Sequence, residues 1–303
     1  MTDNYKLHIG DCLTSLKTMA DQSVNCCVTS PPYFGLRNYG VEGQMGLEAT
    51  PDEFVSALVT VLGEVRRVLT DDGTLWLNLG DSYASGGRKT RDADKKLPQR
   101  GAEYRAQDGL PEKNLIGIPW RVAFALQADG WILRQDIIWQ KPNAMPESVG
   151  DRCTKSHEYI FLLSKSPKYF FDSNAIKEDA VKGAAGSSFN KGKTAEHQLG
   201  RSSSAERVED GKRNRRSVWS VPTSPYKAAH FATFPPALIE PCVLAGCPAG
   251  GVVLDPFGGS GTTAGVAIAH GRKAVLCELN PEYAELIPSR IDAIVRSVHR
   301  DLV

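Results

Sequence analysis

Val253-Leu254-Asp255-Pro256-Phe257-Gly258-Gly259-Ser260-Gly261-Thr262-Thr263 runs from an apolar strand, through a glycine-rich turn, into a helix. Glycines at such a turn let a ligand approach the backbone, and the helix start offers free N–H groups. In open α/β sheets this edge is where ligands bind. No Lys follows the glycines, so the turn is not a phosphate P-loop. The alternative is a tight turn with no ligand. Here Asp255 closes one strand and Glu278 closes the next, Lys273–Glu278. An acid in that second place holds a ribose diol in Rossmann-like folds. The pattern describes a nucleoside site without a pyrophosphate. S-adenosylmethionine fits it, with an adenosine, a sulfonium cation and an amino acid tail.

Outward from this motif, strands and helices alternate. Tyr5–Ile9 and Val24–Thr29 read as strands, the second stopped by Pro31-Pro32. Thr50-Pro51-Asp52-Glu53 is a capping box, and Phe54, Leu58, Val61, Leu62 and Val65 follow at helical spacing. Asp71-Asp72-Gly73 reads as the stop of that helix, before a strand over 74–79. A helix over 119–128 precedes strands over 131–140 and 159–164, expected to pair antiparallel. Helices follow over 234–245, 262–270 and 281–300, the last kinked at Pro288. This order predicts an α/β domain with a mostly parallel sheet.

Residues 84–114 and 177–217 break the pattern with polar, Gly- and Lys/Arg-containing stretches. We read them as loop insertions. The expected organisation is a part over 1–176 carrying the first insertion, an insertion over 177–217, and a ligand-binding part over 218–303.

Ser30-Pro31-Pro32-Tyr33 gains meaning from its company. With Phe257-x-Gly259-x-Gly261 and Glu278 it resembles the motif set of the DNA amino-methyltransferases. The catalytic tetrapeptide comes first and the cofactor loop last, which is the permuted order of the β group. The resemblance implies a Rossmann-like class I methyltransferase fold with inserted target-recognition loops. It implies transfer of a methyl group from S-adenosylmethionine to an exocyclic base amine in double-stranded DNA. The Ser30 hydroxyl and Pro31 carbonyl would accept the amine hydrogens, Pro32 would help fix the backbone, and Tyr33 would stack on a flipped base.

For the cofactor the resemblance implies Asp11 near the adenine, Phe234 over the methionine within the segment 230–235, and Glu278 on the ribose. Asp255, Phe257, Gly259, Ser260, Gly261 and Thr262 would form the loop, Asp255 accepting from a cationic or hydroxyl-bearing ligand. Trp139 and Lys141 would wall the base pocket, Lys141 as a phosphate contact rather than a base. Ser at the first tetrapeptide position favours cytosine N4, with adenine N6 as the alternative. A methyltransferase for RNA or protein, and a DNA-binding regulator without catalysis, are further alternatives. A cytosine-C5 enzyme would need a reactive Cys after Pro. Pro241-Cys242 lies in an apolar run where a packed thiol is expected.

Composition sets bounds. The 303 residues carry a net charge of +1, with 41% hydrophobic residues. The insertions hold net charges of +3 and +4, which leaves −6 for the rest. Arg213, Arg215 and Arg216 form the densest basic run and are the expected DNA contacts. The seven cysteines include no C-x-x-C pair, so free thiols in a reducing cytosol and no metal site are expected. No apolar window is long enough to span a membrane. The resemblance leaves open a homodimer and a cognate restriction endonuclease.

Overall fold

The alternation becomes a sheet with helices on both faces. The computed structural model describes residues 4–84, 110–180, 211–224 and 233–300. In chain order its elements begin with β1 (Tyr5–Ile9), α1 (Cys12–Lys17), β2 (Val24–Thr29), α2 (Pro51–Val68) and β3 (Leu69–Leu79). They continue with α3 (Ile118–Ala128), β4 (Ile132–Gln140), β5 (His157–Ser164), β6 (Glu178–Asp179), β7 (Lys212–Arg213) and β8 (Val218–Ser220). The last are α4 (Pro236–Gly246), β9 (Val252–Asp255), α5 (Thr262–Ala269), β10 (Lys273–Glu278), α6 (Pro281–Ala284) and α7 (Ile287–Arg300). Among the described residues, eight strands form one sheet in the order β1-β10-β9-β2-β3-β5-β4-β8. The first five are parallel. β5 runs antiparallel to both β3 and β4, and β8 lies parallel to β4.

Each sheet face buries its own core. Cys26, Val28 and Trp76 point to one face and pack with Leu238 of α4, Val266 of α5 and Ile291 of α7. Cys27, Leu75 and Leu77 point to the other and pack with Leu16 of α1, Leu62 of α2 and Val122 of α3. Alternation over Cys26–Val28 and Leu75–Leu77 produces this division. The capping box of α2 forms as expected, with the Glu53 N–H donating to Thr50 Oγ1 at 3.1 Å and the Thr50 N–H to Glu53 Oε2 at 3.2 Å. The 131–140 and 159–164 strands pair antiparallel, with Trp139 opposite Glu158. Among the described residues no helix is long and apolar enough to cross a membrane.

The structure departs from the sequence reading in three places. The helix stop at Asp71-Asp72-Gly73 is wrong: α2 ends at Val68, and those residues lie inside β3. The partner of Val24 is Leu69 and that of Cys26 is Thr74, so β3 carries an irregularity there. Turn-forming residues therefore mark a bulge rather than a helix end. The short α1 was not expected; Asp11 caps it by accepting from the Thr14 N–H at 2.7 Å. The last helix is broken rather than kinked, because Pro288 opens α7 within its first turn, where a missing N–H costs little.

Candidate functional site

The parallel strands end along one edge, and that edge is hollow. A cavity of about 740 Å³ is lined by the residues following β1, β2, β9 and β10. β5 runs the other way, so its beginning, with Glu158, reaches the same edge. β4 is antiparallel to β5 and delivers its end there, with Trp139 and then Lys141. One edge thus gathers groups far apart in sequence.

The glycine-rich loop forms one half of the cavity. Asp255 is 1% exposed, and its carboxylate accepts from Thr29 Oγ1 and Thr263 Oγ1, each at 2.6 Å. The Phe257 N–H donates to it at 3.0 Å. Burial raises its pKa against the pull of these donors. Asp255 lines the cavity and at the same time ties β2, the loop and α5 together. Gly261 is redirected. It does not line the cavity; a Cβ on it would sit 2.9 Å from Ile287 Cγ2, and its φ is +88°. It serves the turn and its packing on α7.

The remaining loop residues face the cavity. Phe257, Gly259, Ser260 and Thr262 line it, as do Asp11 and Phe234. Residues 230–232 of the expected closing segment lie outside the described residues. Ser260 Oγ and Thr262 Oγ1 are buried, with no hydrogen-bond partner among the described residues. A buried unpaired hydroxyl costs about 1–3 kcal/mol, so both are suited to a polar ligand. Glu278 is 8% exposed and accepts from the Gly259 N–H at 2.7 Å and the Asn280 N–H at 2.8 Å. Burial lifts its pKa to about 7 despite those bonds.

The other half is a hydrogen-bonded wall. Ser30, Pro31, Pro32 and Tyr33 line it directly after β2. The Tyr33 hydroxyl donates to Glu158 Oε2 at 2.7 Å, with Asn78 Oδ1 at 3.1 Å as its other acceptor. Ser30 Oγ donates to the Tyr33 hydroxyl at 3.4 Å. Burial, and then the charge of Glu158, push the Tyr33 pKa up, so its proton stays on. Gly80 makes room for the ring: a Cβ there would lie 2.4 Å from Tyr33 Cε2.

Lys141 forms an ion pair with Glu158 and lies 4.2 Å over the Trp139 ring. Its side chain is 19% exposed and forms part of the cavity wall. Trp139 is both core and wall, 4% exposed, with Nε1 donating to the Val221 carbonyl at 2.7 Å. Sequence reading missed Glu158 and Asn78. A polar residue in each of two apolar strand runs was the available signal.

The three arginines lie away from the cavity. Arg213 and Arg216 both donate to Glu178 Oε1, at 2.9 and 3.0 Å, and so close the β6–β7 ribbon. Arg213 is 14% exposed and Arg216 67%. Arg215 lies 4.8 Å over the Trp219 ring. Most of both insertions, 85–109 and 181–210, falls outside the described residues. Cys242 is fully buried, its thiol 3.9 Å from the Leu238 carbonyl, and burial raises its pKa strongly. That removes it as a nucleophile.

Known proteins match this arrangement. Residues 24–289 fit the family model for N6/N4 DNA methylases, described as DNA methylase. The Type II methyltransferase M.Cfr9I of Citrobacter freundii is 50% identical over 284 residues, covering 93% of this chain and 86% of that protein. The solved PvuII DNA methyltransferase, cytosine-N4-specific, superposes with a TM-score of 0.65 at 19% identity, over 98% of this chain and 93% of that one. A DNA modification methylase of Thermus thermophilus, solved in complex with S-adenosyl-L-methionine and described as putative, gives a TM-score of 0.62 at 25% identity, over 96% and 94%. The fold is therefore the Rossmann-like class I methyltransferase fold.

Proposed function

The chain belongs to the DNA methylase family, and we propose that this S-adenosylmethionine-dependent DNA methyltransferase modifies the N4 amine of cytosine. The observation that carries the cytosine reading is Ser30, a neutral acceptor at the head of the wall, where adenine enzymes more often place Asp or Asn. Adenine N6 is the second reading, since the division by this residue is incomplete.

The cavity fits the cofactor. The unpaired hydroxyls of Ser260 and Thr262 and the carboxylate of Glu278 give a ribose and an amino acid tail their partners. Asp11, Phe234, Phe257 and Gly259 complete its walls. The bound cofactor supplies a methyl group on a positively charged sulfur.

The chain's own residues prepare the acceptor. A base amine is a poor nucleophile because its lone pair is conjugated with the ring. Ser30 Oγ and the Pro31 carbonyl accept its two hydrogens and hold the nitrogen toward tetrahedral geometry. Its lone pair then faces the cofactor half of the same cavity, so positioning supplies much of the rate. Tyr33, pinned through Glu158 and Asn78, offers its ring to the base. Lys141 is held against Trp139 and Glu158 and closes the opposite side. A duplex hides the amine, so the base must leave the stack to enter.

The proposal extends to the surroundings. The second insertion serves as the target-recognition region, with Arg216 exposed at its stem. M.Cfr9I is a Type II methyltransferase, which supports a cognate restriction endonuclease as partner. A homodimer rests on resemblance alone. Single-molecule sequencing of DNA from cells expressing the chain tests the function. Modified cytosines within one short sequence are expected; modified adenines alone would replace the cytosine reading, and no modification would defeat it.

A further inference from the structure

Met145 is out of place on a water-facing surface. It is 79% exposed, the most exposed of the large hydrophobic residues among those described. It sits between Pro142 and Pro146 on the loop after β4, which starts at the cavity wall with Lys141 and Asn143.

The loop is tethered on both sides of this residue. Asn143 Oδ1 accepts from the Thr223 N–H at 2.8 Å, and Asn143 Nδ2 donates to the Thr223 carbonyl at 3.1 Å. Beyond it, Glu147 accepts from Arg152 at 2.5 Å, and Arg152 lies 4.0 Å over the Tyr83 ring. An apolar side chain is thus presented to solvent from a braced support, two residues from the wall of the cavity.

A base that leaves a duplex opens a gap between its neighbours. Unstacking costs a few kcal/mol, and proteins that unstack DNA insert apolar wedges, Met among them. We propose that Met145 enters the duplex where the target base has left and fills the gap while the base occupies the cavity. This rests on the reading that the enzyme flips its base.

The test uses the full chain, S-adenosylhomocysteine as an unreactive cofactor, and duplexes with 2-aminopurine at the target position. The wild type should raise 2-aminopurine fluorescence on a fully paired duplex. Met145→Ala should lose most of that rise, and its single-turnover methylation of the natural duplex should fall at least about fivefold. Both should recover when the nucleotide opposite the target is made abasic, because little pairing then opposes extrusion. Met145→Leu should stay near wild type. A Met145→Ala protein with wild-type fluorescence and rate on the paired duplex overturns the proposal. So does a deficit of equal size on paired and abasic duplexes, which assigns Met145 to binding or folding. Absence of any fluorescence rise in the wild type overturns base flipping itself, and the wedge with it.

Discussion

Ser30 and Glu278 carry the sharpest expectations at the scale of single residues. Ser30→Ala removes one of the two proposed amine acceptors and leaves the cofactor half intact. Single-turnover methylation should fall at least about 10-fold, while calorimetric affinity for S-adenosylmethionine stays unchanged. Turnover near wild type would remove Ser30 from its role. Glu278 gives a pH dependence. Its pKa is raised to about 7 by burial, so between the ordinary carboxylate range and 7 the folded protein holds a proton that the unfolded chain has lost. Its contribution to stability is therefore largest at low pH and declines as pH rises through that window. In the proposed site a ribose diol donates to the ionised carboxylate, so cofactor binding favours proton release. Affinity should rise with pH up to about 7 and then level off, and Glu278→Gln should flatten the rise. Titration calorimetry from about pH 5.5 to about 8.5 reads this at roughly half-unit steps.

The residue scale also shows where sequence reading stops. Ser30, Tyr33 and Glu278 were legible because motif and spacing mark them. Asp255 was legible as an acid at a strand end, but not as one whose oxygens are already taken by Thr29, Thr263 and the Phe257 N–H. Those partners come from other strands and turns, and only the folded register brings them in. Glu158 showed only as a polar residue beside an apolar run, and its role was hidden for the same reason. It gains its place because β5 runs antiparallel and starts where β2 and β3 end.

At the scale of elements, the strands with a clear apolar run were placed within a residue or two, apart from the start of β3, and the β4–β5 pairing was correct. The failures were at Asp71-Asp72-Gly73 and Pro288, where a turn-forming residue does two different jobs with one sequence signature. The β6–β7 ribbon had no periodicity to reveal it. Its arginines divide in a way that changes the test of DNA contact. Reversing Arg213 would set an acid against the partly buried Glu178 and disturb the ribbon. Arg216, mostly exposed, is the cleaner probe. Arg216→Gln should lower the slope of log affinity against log salt by about 0.9, one phosphate contact. An unchanged slope places the phosphate contacts elsewhere.

Across the whole molecule, the net charge of +1 is a sum of unequal parts. The basic insertions and the acidic body are separate in sequence, and the catalytic cavity opens on the body. The tetrapeptide and the cofactor loop follow neighbouring strands, β2 and β9, although 226 positions separate Thr29 from Asp255. The proposed function rests on a neutral amine acceptor and a nucleoside site sharing one cavity. The most direct measurement incubates the purified chain with S-adenosylmethionine and unmodified duplex DNA, digests the product to nucleosides and identifies them by mass. We expect N4-methylcytosine. N6-methyladenine alone, or C5-methylcytosine, would contradict the account.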